Sequence, residues 1–330
     1  MKREFIGLAC VTALAMAALA CERQGEAQAP AAPAEAPAQR GTTMSEAELK
    51  EVFFEMSGGR VLRPTSWPNG ARAAVILGFD NHATANLSTG RVTPNNLQQA
   101  EFGAEAGHPR ILGILDKHGL PATFFVPPVT AMMYPDMLPS ILKSNRHEVA
   151  MHGWIHENLS LLPEAEQRRL LSQSIDYLTK ATGKRPVGLV PPGANTSVLT
   201  FTIARELGVE YVKAYGSDDA YELTFGGKPN GLIGVPGDWN LNDITYLGAN
   251  GALPDPRQMF DLWRQEFDVT YAEGGLMFVT MHPYTAGRRT GAARLDEFLA
   301  YMKSKPGVWF ATAQDVVNYV KKATAATATN

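Results

Sequence analysis

Eight short apolar runs, separated by longer segments of helical period, constrain this chain more than any other feature. They lie at 73–79, 122–126, 148–151, 186–190, 209–212, 232–235, 276–281 and 308–311. Each is largely apolar instead of alternating, as strands buried on both faces of a parallel sheet are. Between them, 163–182 carries Leu171, Ile175 and Leu178 on one stripe and stops at Gly183, and 197–207 carries Leu199, Ile203 and Leu207 and stops at Gly208. Further helices are expected over 109–118, 137–144, 256–273, 293–303 and 312–322. Alternation of this kind builds βαβ units. About eight strands without a nucleotide-binding glycine fingerprint predict a closed α/β barrel in a single domain, not an open sheet.

In such a barrel the chemistry sits just beyond the carboxyl ends of the strands. Those places hold Asp80-Asn81-His82, His152, Pro191-Pro192, Asp238-Trp239 and His282-Pro283. Four of the seven histidines, His82, His152, His156 and His282, therefore fall at one rim. His108, His118 and His147 fall on helices or ahead of a strand. His152 and His156 stand at i and i+4, on one face and close enough to share an ion if the segment coils. An H-x-x-x-H spacing alone is more often a chance pair of surface histidines, and its place at a strand end is what gives it weight.

The two ends of the chain read differently from this body. Lys2-Arg3 and the apolar run from Phe5 to Ala20 have the form of a signal peptide over 1–20. The only cysteines are Cys10, inside that segment, and Cys21, directly after it, so the mature chain has no internal disulfide to form. Ala18-Leu19-Ala20-Cys21 resembles a bacterial lipobox, which makes Cys21 a lipid-anchored amino terminus of an exported, periplasmic, membrane-anchored lipoprotein. Plain cleavage after Ala20 is the alternative. Residues 21–41, rich in Ala, Pro, Gln and Glu, form a flexible tether, 42–322 the barrel domain, and 323–330 a disordered tail. A net charge of -3, with no basic clustering, excludes a nucleic-acid partner.

Several blocks occur together in a fixed order: Gly78-Phe79-Asp80-Asn81-His82-Ala83, His108-Pro109-Arg110, Pro121-Ala122-Thr123-Phe124-Phe125, His147-Glu148-Val149-Ala150-Met151-His152-Gly153-Trp154-Ile155-His156-Glu157, Thr182-Gly183-Lys184-Arg185-Pro186, Trp239-Asn240-Leu241-Asn242-Asp243 and His282-Pro283-Tyr284-Thr285-Ala286-Gly287-Arg288. In content and order they resemble the NodB-type polysaccharide deacetylases, carbohydrate esterase family 4, in the branch of peptidoglycan deacetylase-like and allantoinase-like enzymes. The resemblance implies a deformed (β/α) barrel of seven to eight parallel strands. It also implies a metal-dependent hydrolase of carbon–nitrogen bonds other than peptide bonds.

The resemblance assigns residues by position. Asp80 matches the general base, His152 and His156 the metal pair, and His282 the general acid. His82 stands where the family's second Asp is expected; an alternative register puts Asn81 there, but imidazole is a good zinc ligand and Asn a poor one. Val190-Pro191-Pro192 replaces an Arg-x-Pro motif whose Arg steadies the base in the wider family. Glu157 is expected to orient the metal loop, Trp239 to line a sugar or ring site or else to be core, and Asp243 to orient His282 or else to be a solvated loop carboxylate. Asp218-Asp219 match another block of the branch with little functional weight.

The expected cofactor is one divalent metal, Zn2+ by ligand type, with Ni2+, Co2+ or Mn2+ able to compete. The expected substrate is an N-acetylated envelope glycan such as peptidoglycan, with an allantoinase-like or cyclic-imide ring as the alternative. A reading of another class, a non-catalytic envelope binding protein on a disabled barrel, is motivated by the departures at His82, Val190 and Asn242. Membrane association is expected only through Cys21, and a homo-oligomer is left open.

Overall fold

The computed structural model describes residues 42–248 and 255–327. The signal peptide, lipid anchor and tether read from 1–41 lie outside the described residues. Among the described residues, 42–49 belong to one unit and the chain from Lys50 onward forms one compact body.

The body is built on one sheet of ten strands: β1 (Met56–Val61), β2 (Ala73–Asp80), β3 (Thr123–Val126), β4 (Glu148–Met151), β5 (Gly188–Leu189), β6 (Tyr211–Ala214), β7 (Tyr221–Phe225), β8 (Lys228–Pro236), β9 (Leu276–Met281) and β10 (Val308–Ala311). Strands β9, β2, β3, β4, β5, β6 and β8 lie side by side in that order, all parallel. Just past β8, Asn242 forms a lone parallel bridge to Thr280 of β9, which brings the last wall of the sheet back to the first. The result is the expected α/β barrel, deformed at this seam. β10 adds a parallel pairing along the first half of β2, and β3 takes the second half.

Strands β1 and β7 are absent from the sequence reading. They pair antiparallel at the β8 edge. Met56-Ser57-Gly58-Gly59-Arg60-Val61 contains two glycines and an arginine where an apolar run would be the signal. The helices Glu164–Thr182, His108–His118 and Pro256–Glu273 fall where the periodicity predicts them. The last helix, Ala313–Thr327, reaches into the 323–330 stretch expected as a disordered tail, of which 328–330 lie outside the described residues. Its Ala-rich end favours helix, and Thr324 is buried with its hydroxyl donating to the Val320 carbonyl.

Strand parity decides what enters the barrel. Ala74 and Ile76 of β2, Phe125 of β3, Ala150 of β4, Tyr211 of β6 and Leu276 and Phe278 of β9 form one buried cluster, closed below by Val316, Val317 and Val320 of the last helix. Their neighbours Val75, Leu77, Phe79, Met151, Val212 and Met277 belong to a second cluster under the surrounding helices. Successive strand side chains alternate sides, so Asp80, His152, Lys213, Thr280 and His282 continue the inner rows. Gly78 lets β9 come close beside this row, because a Cβ there would lie 2.4 Å from the Phe278 ring.

Candidate active site

The inner rows of β2, β4 and β9 end in Asp80, His152 and His282, and two loops add His82 and His156. The loop after β4 does not coil into the helical turn that the i, i+4 spacing suggests. Gly153 (φ +69°) and His156 (φ +73°) both occupy the left-handed region. The Glu157 carboxylate accepts hydrogen bonds from the Trp154 and Ile155 amides at 3.0 and 2.8 Å, bonds that compete with a helical ladder. Ser88 Oγ donates to the His156 carbonyl at 2.8 Å, pinning the strained residue from the opposite loop. Glu157 thus shapes the loop, and the two imidazoles meet with ring centres 4.8 Å apart by a non-helical path.

His82 completes this cluster, with ring centres 4.3 Å from His156 and 5.4 Å from His152. One ring nitrogen from each of the three lies within 4.8 Å of the others. Asn81 turns away, its amide paired with His108 Nδ1 at 3.0 Å, and His108 Nε2 meets Ser140 Oγ at 3.0 Å. The cluster fits a metal on its own chemistry. The Val190 carbonyl can only accept, so the 2.7 Å contact fixes the proton on His152 Nδ1 and leaves Nε2 with a free lone pair. His152 Nε2 and His156 Nδ1 are buried and have no hydrogen-bond partner among the described residues. Such orphaned nitrogens are costly unless something binds them.

Burial, the largest influence on all three, holds His82 well below the usual imidazole range and lowers His152 and His156 to about 3. They are neutral at pH 7, the form that ligates. In the unfolded chain imidazoles take up protons near pH 6.5, whereas His152 and His156 resist until about pH 3, so between those values the unfolded state binds more protons and stability falls as pH falls. The thermal midpoint of metal-free protein is expected to fall from about pH 7 to about pH 4, and to fall less in His156→Gln. Equal slopes in the two proteins would contradict this assignment.

Asp80 stands between the three-histidine cluster and His282. Its Oδ2 is 3.9 Å from His152 Nε2 and 3.8 Å from His282 Nε2, while Oδ1 is buried without a partner. Asp243 is fully buried and not a solvated loop carboxylate. It takes His282 Nδ1 at 2.6 Å, the His282 and Ala286 amides at 2.9 and 3.3 Å, and the Thr285 hydroxyl at 2.5 Å. Burial alone would lower His282, but Asp243, seconded by Asp80, reverses this and raises it above the usual imidazole value. Nδ1 is committed to Asp243, and Nε2 faces Asp80.

Trp239 is 48% exposed and therefore not core. Its ring stacks on Tyr215 at 5.6 Å and 18°, on the wall of a cavity of about 530 Å3 also lined by Asp218, Asp238 and Glu266. A second cavity, of about 180 Å3, opens on His82 and Tyr284 between Arg91, Asn96 and Gln99. Asp219 lines neither cavity; its carboxylate is bonded to Arg63 at 2.5 Å and to the Leu276 amide at 2.9 Å. Sequence reasoning missed Lys213, buried on β6 within reach of the field of Asp80 and Asp243. Its signal was a lone charge inside the otherwise apolar Tyr211-Val212-Lys213-Ala214.

A family model described as polysaccharide deacetylase matches residues 69–212. A peptidoglycan deacetylase of Helicobacter pylori is 23% identical over 260 residues, covering 69% of this chain and 88% of its own. A crystal structure of a polysaccharide deacetylase-type protein from Mycobacterium smegmatis superimposes with a TM-score of 0.72 at 32% identity, covering 79% of this chain and 94% of that one. The structure of Puue allantoinase superimposes with a TM-score of 0.69 at 25% identity, covering 79% and 93%. With a one-third-identical relative spanned almost end to end, and with the barrel and its motif blocks in place, the chain belongs to the polysaccharide deacetylase family.

Proposed function

We propose that this protein is a metal-dependent hydrolase that removes acetyl groups from an N-acetylated glycan of the cell envelope. The observation that carries the reading is Asp80, buried, with one oxygen unpartnered and the other between His152 at 3.9 Å and His282 at 3.8 Å. A carboxylate with no structural partner, flanked by a three-imidazole cluster and a carboxylate-bound histidine, suits proton transfer on both sides of a scissile bond.

His82, His152 and His156 would hold one divalent ion, Zn2+ by donor type, which would supply Lewis-acid chemistry for an amide carbonyl. Asp80 accepts a proton from the attacking water. His282, aimed by Asp243, which also raises it above the usual imidazole value, passes its Nε2 proton to the departing nitrogen. Oxygen joins the acyl carbon, the C–N bond breaks, and acetate and an amine leave. Two departures from the family pattern have roles compatible with activity. Val190 offers the carbonyl that orients His152, and Asn242 caps helix Asp243–Leu247 and bridges to Thr280.

The glycan reading draws on the H. pylori relative's name and on the exposed Tyr215–Trp239 stack beside the larger cavity, a surface on which a sugar ring can lie. A second reading, opening of a cyclic amide or ureide, draws on the likeness to an allantoinase and on the small cavity at His82. Acetate release from peptidoglycan fragments, measured beside a panel of cyclic imides and allantoin, separates them. We expect acetate from the fragments; turnover of the rings alone would overturn the glycan reading, and absence of any bound metal would overturn the mechanism.

A further inference from the structure

Lys213 is 5% exposed and lies on the inner row of β6. Its Nζ crosses the barrel to donate to Thr280 Oγ1 of β9 at 2.6 Å and stands 5.5 Å from the centre of the Phe278 ring. An ammonium carries three donors, and Thr280 is a neutral partner for one of them. Thr280 stands opposite Gly78 in the β9–β2 register, two residues before His282 and Asp80 on the same inner rows, so the charged and titratable groups in whose field the ammonium lies are Asp80 on β2, Asp243 and Asp238 after β8, His282 after β9 and His152 after β4. Burying an ammonium is unfavourable by several kcal/mol unless opposite charge compensates. Here burial lowers the lysine while the three carboxylates act against it. Two of them, Asp80 and Asp243, are the carboxylates on either side of the His282 ring.

We propose that Lys213 is a positioning residue, the fixed cation of the barrel interior that keeps the Asp80 carboxylate facing His282 and offsets its charge beside the three-imidazole cluster. The proposal rests on the hydrolase reading above for its catalytic consequence, but its electrostatic consequence is independent of substrate. With the cation gone, the interior becomes more negative and holds a divalent ion more tightly. Asp80, no longer balanced, is drawn toward that ion and serves proton transfer less well. A lysine with a merely structural role has the opposite signature, since loosening β6 against β9 would weaken ion binding and turnover together.

The test compares wild type, Lys213→Met and Lys213→Arg by chelator competition for Zn2+, by kcat and KM for acetate release, and by thermal unfolding. In Lys213→Met we expect Zn2+ affinity to rise about tenfold, as removal of one buried charge near a divalent ion predicts. We also expect kcat to fall by a factor on the order of thirty with KM nearly unchanged, the pattern of an interaction that acts at the transition state. Lys213→Arg, which keeps the charge, is expected to restore both toward wild type. Unchanged or weaker Zn2+ binding in Lys213→Met overturns the proposal. If wild type releases no acetate, the hydrolase reading fails while the Zn2+ comparison still decides the role of Lys213. If Lys213→Met does not fold, Thr280→Val, which removes only the anchor of the ammonium, is expected to move both quantities in the same directions by a smaller factor, and no change there overturns it.

Discussion

His152→Ala should leave a folded barrel that retains less than about a tenth of an equivalent of metal and hydrolyses its substrate at least about a thousandfold more slowly. His152 is the member of the cluster with the least freedom. It is 2% exposed, its Nδ1 is tied to the Val190 carbonyl at 2.7 Å, and its Nε2 has no partner among the described residues. Removing it takes one of three donors and leaves the Val190 carbonyl unpaired, at about 1–3 kcal/mol. That loss is local, because β4 is held by β3 along its whole length. Elemental analysis and circular dichroism on the purified variant check both halves of the expectation. Stoichiometric metal with unaltered turnover in His152→Ala would remove the basis for the three-histidine site.

Which parts of this arrangement can be read from sequence follows from how each is encoded. β2 is buried at all eight positions and reads as an unbroken apolar run up to Asp80, and the residues just past such runs are the rim of the barrel. Asp80, His82, His152 and His282 are legible for that reason. The path between His152 and His156 is not. It depends on a glycine and a histidine in left-handed backbone and on a carboxylate that captures two amides, none of which has a periodic signature. β1 escapes because it is the edge strand, where β7 is its one partner and Gly58 and Gly59 are tolerated, and β7, paired on both sides, escapes because Glu222 and Thr224 break its short apolar run. Helix Pro94–Phe102 escapes because it buries only Ala100 and so carries no apolar stripe. Lys213 and Asp243 are the converse case, polar residues whose burial comes from tertiary closure. Asp243 becomes a partner of His282 only when the chain after β8 reaches β9, a contact between residues 39 apart.

The closure that hides Asp243 also makes Asp80 the cleaner place to interrogate proton transfer. Asp243 holds His282, Thr285 and Ala286 together, so an amide there would unsettle the loop after β9 as well as the imidazole. Asp80 holds nothing by a hydrogen bond of its side chain: Oδ1 has no partner, and the nearest imidazole nitrogens stand at 3.8 and 3.9 Å from Oδ2. Asp80→Asn keeps the volume and removes the ability to accept a proton, so its effect should fall on kcat. A loss of about a hundredfold to ten-thousandfold is the range for general-base removal, with metal stoichiometry retained. Loss of metal together with activity would instead make Asp80 a ligand, and full turnover with bound metal would transfer the base role to another group of the inner row. Metal content and kcat measured on the same preparation separate these outcomes, because the three donors His82, His152 and His156 are intact in the variant.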